Sequence, residues 1–295
     1  MKKGPSSVTR LNTCASCNQG AAWGNMFLSG SDGNIRLMTQ LITLTTDFGT
    51  RDGYVAQMKG VILRIAPAAR LLDVTHEVPA FSVLEAAFVV KSIVPYFPQG
   101  TIHVVVVDPG VGTDRRGIAL QTRDQYFIGP DNGLFSLLVL SDAPWEVRDI
   151  RNPDYMPTER HPTFHGRDVF APVAAHLASG KRFEDVGPTV RDPVCLDIPV
   201  PKLVENGIEG EIIYADRFGN LVSNIEESRL VKPVRFIQAG NVAIGGISRF
   251  FAEVSEGEPL ALINSSGFLE IAVNRQDASR VLGTGKGTPV RIQWY

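Results

Sequence analysis

The residues in this chain with the clearest chemical potential are acids that follow hydrophobic strands. Residues 41–46 form an apolar, β-branched run that leads into Asp47, and residues 103–107 form another that leads into Asp108. Runs of this kind predict strands that are buried on both faces of a parallel sheet. Ligands bind beyond the carboxyl ends of the strands in open α/β sheets, so the two acids point to one site. Taken singly, each acid could equally cap a turn.

Four segments carry polar side chains where a packed fold would favour apolar ones. They are TTDFG with the nearby Asp52 (45–52), DPGVGTDRR (108–116), TFHGRD (163–168) and DRFGN (216–220). They supply carboxylate, guanidinium and imidazole groups without an obvious protein nucleophile, since no GxSxG motif occurs. Such a set suits orientation and deprotonation of a water molecule, with Asp or His as the base and Arg fixing the carboxylate. His165 could instead cap a helix, Arg115 could be a solvated loop cation, and His76 could be structural.

Familiar cofactor motifs are missing from the sequence. It has no GxxxxGK[ST] phosphate loop, no GxGxxG after the first strand, and no HExxH or HxH metal motif. Cys14 and Cys17 form a single CxxC pair without a second pair or histidine partners, so an incidental pair is the simpler interpretation. We therefore expect neither a metal ion nor an organic cofactor.

The order of the predicted elements indicates two domains. Alternating strands and helices up to about residue 190 predict an α/β domain whose mostly parallel sheet is covered by helices. From about residue 205, short alternating runs separated by Gly and Asn predict a small C-terminal antiparallel β-barrel domain. The predicted organisation is a disordered or non-native extension over 1–37, with Met38 as the natural start, an α/β domain over 38–190, a linker over 191–204 and a β-barrel domain over 205–295.

The amino-acid composition limits the classes of binding partner and the cellular compartment that we expect. The chain has 295 residues, of which 44% are hydrophobic, and a net charge of −2 from 29 basic and 31 acidic residues. This balance argues against nucleic acid or an anionic membrane as the main partner. No apolar run reaches the roughly 20 residues that span a bilayer. Three cysteines cannot form a disulfide framework, which fits a reducing cytoplasm.

From Met38 to the C-terminus the chain resembles the S-adenosylmethionine (SAM) hydrolase (adenosine-forming) family. These proteins are also called SAM hydroxide adenosyltransferases and are relatives of the SAM-dependent fluorinase and chlorinase. The resemblance is carried by seven segments in order: TTDFG (45–49), DVTH (73–76), DPGVG (108–112), PDNG (130–133), TFHGRD (163–168), FGN (218–220) and NSSG (264–267). The family's layout, an α/β domain followed by a small β-barrel, agrees with the two domains predicted from the pattern.

The resemblance implies roles for individual residues. Asp108, Arg115 and His165 match the family's water-activating triad, and Asp47 would hold the ribose hydroxyls. The remaining substrate contacts that the resemblance implies are Asp52, Tyr54, Phe81, Asp216, Asn220, Ser265, Glu270 and the backbone near Val273.

The reaction that the resemblance implies is hydrolysis of SAM to adenosine and L-methionine by in-line attack of water on the 5′ carbon. It also implies a homotrimer with its sites at subunit interfaces. The halogenases carry Tyr where this chain has Asp108, and the fluorinase carries Arg where it has Ser266. A carboxylate would repel a halide but can accept a proton from water. The alternatives are a SAM-dependent halogenase, a non-enzymatic adenosine or SAM sensor, and a metal-dependent nucleotide hydrolase that uses Asp47, His76 and Asp108.

Overall fold

The computed structural model describes residues 40–141 and 144–295. The chain divides after Asp197 into two compact units, called unit 1 and unit 2. The predicted extension over residues 1–37, with Cys14 and Cys17, lies outside the described residues. Within the two described ranges, no helix combines the length and the apolar character that a membrane crossing requires.

Among its described residues, unit 1 is built on a six-stranded sheet with the order β2-β1-β3-β5-β4-β6. The strands are β1 (Leu41–Thr46), β2 (Arg70–Thr75), β3 (Ile102–Val106), β4 (Gly117–Thr122), β5 (Tyr126–Pro130) and β6 (Trp145–Asp149). The pairs β1–β2, β1–β3 and β3–β5 are parallel, whereas β4 pairs antiparallel with both β5 and β6. The predicted α/β fold is confirmed, and its sheet is mixed. The connection between β4 and β5 is too short for the crossover that a parallel pair needs.

Helices cover both faces of this sheet. The helices are α1 (Tyr54–Ile65), α2 (Val83–Ile93), α3 (Ser136–Val139) and α4 (Ala171–Ala178). Along β3, Val104 packs with α1 and α4 in one apolar cluster, and Val105 packs with α2 and α3 in another. Both valines are fully buried, which explains the uninterrupted apolar run in the sequence.

The edge of the sheet beyond the carboxyl ends of β1, β3 and β5 collects the polar residues of unit 1. Asp47 directly follows β1, Asp108 lies two residues beyond the end of β3, and Asp131 directly follows β5. Because β4 runs antiparallel to β5, it begins at the same edge, immediately after Arg115 and Arg116. The topology therefore brings three acids and two arginines to one edge.

Unit 2, all of whose residues are described, consists of an antiparallel sheet in the order β11-β10-β14-β8-β9-β13-β12, with β7 paired to β8. Its elements are β7 (Lys202–Val204), β8 (Gly207–Ala215), β9 (Leu221–Glu226), β10 (Val234–Ala239), β11 (Val242–Ile244), β12 (Pro259–Ile263), β13 (Phe268–Val273), α5 (Ala278–Val281) and β14 (Pro289–Trp294). The edge strands β11 and β12 lie against each other, so the sheet nearly closes around an apolar core. The predicted antiparallel barrel is confirmed.

Candidate active site

Asp108, Arg115 and His165 form one hydrogen-bonded cluster in unit 1. The Nε of Arg115 donates to Oδ1 of Asp108 at 2.8 Å, and its Nη2 donates to Oδ2 of the same carboxylate. The same Nη2 lies 2.8 Å from Nδ1 of His165. Only 5% of the Asp108 side chain and 11% of the Arg115 side chain are exposed. The three residues that were predicted to act on water are therefore in contact, in the order carboxylate, guanidinium, imidazole.

A tight loop returns Arg115 to Asp108. The hydroxyl of Thr113 donates to the carbonyl of Gly110 at 2.7 Å, which closes a turn inside the loop. Gly112 has a φ of +80°, and a Cβ at this position would lie 2.9 Å from the carbonyl oxygen of Pro162. Glycine is needed both for this backbone conformation and for the close approach to the segment that carries His165.

His165 lies at the start of a π-helical turn, Gly166–Phe170, which leads into α4. In this turn the N–H of Ala171 donates to the carbonyl of Gly166, five residues earlier. Widened turns of this kind are often found at functional sites. The ring of Phe170, at the end of the turn, lies 5.4 Å from the guanidinium carbon of Arg115 and supports the cation from one side.

The contact with Arg115 determines which nitrogen of His165 carries the proton. A guanidinium group can only donate hydrogen bonds, so Nδ1 of His165 must accept, and the proton of the neutral ring lies on Nε2. Burial lowers the pKa of His165 below its usual value, the charge of Arg115 lowers it further, and Asp108 opposes them only in part. The ring is therefore neutral at neutral pH. Each oxygen of Asp108 retains capacity for a second hydrogen bond, so the cluster can offer a water molecule an acceptor and a donor.

Asp47 organises the neighbouring loop. Its Oδ2 accepts the backbone N–H of Phe81 at 2.9 Å. Phe81 has a φ of 67°, which is unusual for a residue with a side chain, and 70% of the residue's surface is exposed. Phe81, Leu84 and Phe88 have helical spacing in the sequence, but α2 begins only at Val83, after the left-handed Phe81 that is bonded to Asp47.

Three aromatic side chains of unit 1 form a cluster. The rings of Phe48, Tyr54 and Phe164 meet with centroids 5.3–5.9 Å apart. They line a cavity of about 410 Å³, whose lining residues are Phe48, Tyr54, Gln57, His161, Thr163, Phe164 and Arg167. Asp52 is exposed in the turn that precedes α1.

Sequence reasoning gave Phe48 and Phe164 no role, although each is adjacent in sequence to a predicted site residue, Asp47 or His165. Their place inside the TTDFG and TFHGRD motifs was the available signal. Of the residues predicted for substrate binding in unit 1, Tyr54 lines this cavity.

In unit 2, Asp216 shapes the turn between β8 and β9. Its Oδ1 accepts the N–H groups of Phe218 and Asn220, both at 2.8 Å, and its Oδ2 accepts the side-chain amide of Asn220 at 3.2 Å. Gly219, with a φ of +84°, packs so closely that a Cβ would lie 2.0 Å from an oxygen of Asp277. The predicted pair Asp216 and Asn220 is therefore held in one rigid turn.

Glu270 is a buried carboxyl group in β13, with 5% of its surface exposed. Burial raises its pKa, the hydrogen bond from Asn264 lowers it, and the charge of Asp216 raises it again. Val273 ends the same strand, and the pairing of Ile271 with Leu221 brings this end towards the Asp216 turn.

The exposed Ser265 lies in the turn at the opposite end of β13 from Val273. Unit 2 therefore gathers four predicted substrate residues near the Asp216 turn, and Ser265 follows Asn264, whose side-chain amide donates to Glu270 at 3.2 Å. The four are Asp216, Asn220, Glu270 and Val273.

A metal-dependent hydrolase would need a cluster of ligand side chains. Across residues 40–141 and 144–295, no group of three or more His, Cys, Asp or Glu side chains is arranged to hold a metal ion. Asp47, His76 and Asp108, the residues of the metal-dependent alternative, are not such a group. The Nδ1 of His76 instead lies 2.9 Å from the hydroxyl of Thr46, and its Nε2 lies 3.1 Å from Asp73.

The sequence matches two family models in the same order as the two units. Residues 42–187 match the SAM hydroxide adenosyltransferase N-terminal domain, and residues 210–291 match the C-terminal domain of the same family. The chain belongs to the SAM hydroxide adenosyltransferase family. The first match contains the Asp108–Arg115–His165 cluster and the second contains the Asp216 turn.

Individual proteins and solved structures are also similar to this chain. An (R)-S-adenosyl-L-methionine hydrolase of Thermus thermophilus is 42% identical over 258 residues, covering 84% of this chain and 97% of the relative. A fluorinase of Actinoplanes sp. is more distant, at 30% identity over 79% of this chain and 91% of its own length. Among solved structures, a conserved protein of Thermotoga maritima has a TM-score of 0.80 and 38% identity, covering 85% of this chain and 99% of its own. The chain is thus more similar to this (R)-S-adenosyl-L-methionine hydrolase than to this fluorinase.

Proposed function

We propose that the protein hydrolyses SAM to adenosine and L-methionine. The oxygen of a water molecule attacks the 5′ carbon of the ribose, and the bond between that carbon and sulfur breaks. Its electron pair remains on sulfur, so methionine leaves as a neutral thioether, while water loses one proton. The observation that carries this proposal is the contact of Asp108, Arg115 and His165 in a largely buried cluster.

In this proposal the cluster orients and deprotonates the attacking water and does not act on the leaving group. A carboxylate oxygen of Asp108 accepts one hydrogen of the water and takes its proton as the new bond forms. The Nε2 proton of His165 donates to the water oxygen and directs its other lone pair towards the 5′ carbon. Arg115 orients both groups. Sulfonium is already a good leaving group, so positioning and water activation supply most of the rate.

The other predicted residues would hold the substrate. In unit 1, Asp47 would bind the ribose hydroxyls while it also holds the Phe81 loop. The exposed ring of Phe81 would pack on the ligand, and Asp52 and Tyr54 would line the substrate beside the aromatic cavity.

In unit 2, the acidic turn would bind the ammonium group of methionine through Asp216. Asn220 in the same turn would hold the nucleoside. Ser265, Glu270 and the backbone near Val273 would contact methionine or adenine.

The configuration at sulfur defines the substrate further. The Thermus thermophilus relative is named for (R)-S-adenosyl-L-methionine, that is, for one of the two sulfonium epimers. We infer the same preference here. Comparison of the rates with the separated (R) and (S) epimers tests it, and equal rates with both would contradict it.

Heavy-oxygen labelling provides the decisive experiment. The protein is incubated with SAM in water enriched in heavy oxygen, with and without a chelator and with added chloride or fluoride. Label in the 5′ hydroxyl of adenosine, unaffected by the chelator, supports hydrolysis by the proposed route. A 5′-halogenated nucleoside would indicate a halogenase, loss of turnover with the chelator would indicate a metal enzyme, and binding without turnover would indicate a sensor.

We also infer a homotrimer with its active sites at subunit interfaces, and a cytoplasmic location. The family resemblance supports the first, and the low cysteine content supports the second. Light-scattering mass measurement of the purified protein tests the oligomer, since a monomer or dimer would contradict it. Cell fractionation with an antibody tests the location.

A further inference from the structure

The PDNG motif (130–133) has no part in the chemistry described above, yet it lies at the same edge of the sheet. Asp131 follows β5, just as Asp47 and Asp108 follow the two neighbouring parallel strands. Asp131 is 4% exposed, and Asn132 is partly buried beside it. The side chain of Asn132 and the backbone N–H of Asp131 donate to the carbonyls that adjoin Asp108 and Arg115. The Asp131 carboxylate accepts from the Arg116 side chain and from the N–H of Val194.

Asn132 supports the peptide that precedes Asp108. Its Nδ2 donates to the carbonyl of Val107 at 2.9 Å, and its Oδ1 accepts the N–H of Leu134 at 3.2 Å. β3 ends at Val106, and its pairing with β5 ends at Val104, so the Val107 carbonyl lies beyond that ladder. The side chain of Asn132 replaces the missing strand partner.

The orientation of Asp108 depends on this bond for a geometric reason. The carbonyl of Val107 and the N–H of Asp108 belong to one rigid peptide plane. Fixing the carbonyl therefore fixes the direction in which the chain enters Asp108, and with it the position of the carboxylate. A buried carbonyl without a partner would also cost free energy, of the order of 1–3 kcal/mol.

Asp131 supports the opposite side of the same ion pair. Its backbone N–H donates to the carbonyl of Arg116 at 2.9 Å and continues the β4–β5 ladder. Its carboxylate accepts from Nε of Arg116 at 2.7 Å. The Arg116 carbonyl also accepts Nη1 of Arg115 at 3.2 Å. The acceptor that orients the Arg115 guanidinium is therefore itself held by Asp131.

We propose that Asn132 is a positioning residue for the Asp108–Arg115–His165 cluster. The backbone N–H of Asp131 supports the same cluster through the Arg116 carbonyl. The inference rests on the proposed hydrolysis, since its main readout is the rate of that reaction. Asn132 acts through the Val107 peptide and not through the substrate, so its loss should lower kcat while leaving substrate binding nearly unchanged.

The test is the variant Asn132→Asp. A carboxylate oxygen can still accept the Leu134 N–H, so the local turn is kept, but the donor to the Val107 carbonyl is lost. Because small displacements of catalytic groups cost about 100-fold in rate, we expect kcat to fall by about 10- to 100-fold and KM to change by less than about threefold. The affinity for adenosine, measured by calorimetry, should stay within the same limit.

Asn152 offers a matched control in the same unit. Its Oδ1 accepts the N–H two residues ahead, of Asp154, at 2.9 Å, and its Nδ2 donates to the carbonyl of Asp185 at 2.7 Å. Asn152→Asp therefore removes the same kind of bond from a turn outside the cluster. It should lower Tm like Asn132→Asp and leave kcat unchanged.

A second variant, Asn132→Ser, separates geometry from charge. Serine is neutral, and its hydroxyl can accept the Leu134 N–H but is too short to reach Val107. A similar fall in kcat for both Asn132 variants, in protein that is folded at the assay temperature, supports the proposal. Wild-type kcat in either folded variant, a loss confined to KM, or an equal loss in Asn152→Asp overturns it. An inactive wild-type protein would instead refute the proposed function itself.

Discussion

Replacing Asp108 with asparagine tests the central chemical assignment. The amide has nearly the same shape as the carboxylate and keeps one oxygen that can accept from Arg115. The amide cannot take a proton from water. In the wild type both carboxylate oxygens accept from Arg115, so the NH2 group of the amide would place a donor against one of the guanidinium donors. The substitution therefore removes both the base and the ion pair while it leaves the volume of the cluster nearly unchanged.

The expected magnitude follows from these contacts. General acid–base terms are worth about 100- to 10,000-fold in rate, or about 3–5 kcal/mol of activation free energy. Because Arg115 already occupies a lone pair on each oxygen, we expect the lower end, a fall in kcat of about 100-fold. Removing one partner of a buried ion pair costs about 3–5 kcal/mol of stability, and the retained acceptor again favours the lower end, about 3 kcal/mol.

Adenosine release from SAM, followed by chromatography, gives kcat, and calorimetry gives SAM affinity, which should change by only a few-fold. Asp149→Asn is the control: its carboxylate is 8% exposed and accepts Arg151 at 2.7 Å in β6, outside the cluster. It should keep wild-type kcat. Adding His165→Ala to Asp108→Asn should cost much less than the product of the single effects, as for residues that act as a unit. Wild-type kcat in Asp108→Asn, or multiplicative losses, would refute water activation by this set.

Three further predictions concern binding, the N-terminal segment and acid stability. Asp47→Ala should weaken the binding of SAM and of adenosine by the same amount, about 1.5–3 kcal/mol in calorimetry, because the ribose contact is present before and after reaction. An unchanged adenosine affinity would remove Asp47 from the ribose site. A chain that begins at Met38 should keep wild-type kcat and Tm, and loss of either would give residues 1–37 a role. Burial lowers the pKa of His103 from 6.5 to about 4, so the unfolded chain binds this proton first. The contribution of neutral His103 to the free energy of unfolding should be complete above pH 6.5 and should fall by about 3 kcal/mol as the pH decreases to 4. Urea unfolding measures this fall, and a His103→Gln variant with the same pH dependence would contradict the prediction.

The sequence predicted the main features of the polar edge of the unit 1 sheet because they depend on the strand pattern. Two apolar, β-branched runs that each lead into an acid are sufficient to place Asp47 and Asp108 at one edge of a parallel sheet. The third acid, Asp131, was not recognised. The pattern of residues 126–128 is that of a strand, and the PDNG segment that follows has the pattern of a turn. The parallel pairing of β5 with β3, which brings Asp131 to the edge that holds Asp108, is seen only in the structure.

The loop geometry could not be predicted, because it is set by contacts between residues far apart in the chain. Phe81 fits a helical pattern, but its N–H is held by a carboxylate 34 residues earlier. Asn132 has the local signature of a turn residue, and nothing in its neighbourhood of the sequence indicates a bond to Val107. The fit of Gly112 against Pro162 is likewise a tertiary contact, so only the identity of the glycine was available as a signal.

The charges of the cluster are also consistent with the substrate that we propose. SAM carries a positive sulfonium next to the reacting carbon, and an uncompensated arginine nearby would repel it. The carboxylate of Asp108 engages Arg115 through both oxygens and cancels its charge, and the lowered pKa of His165 keeps the imidazole from adding another. Protonation of His165 would add a positive charge beside Arg115 and remove the acceptor at Nδ1 that aligns the two side chains. In the proposed reaction a neutral His165 would therefore serve two purposes: its Nδ1 accepts from Arg115, which aligns the ring, and it adds no positive charge to the site.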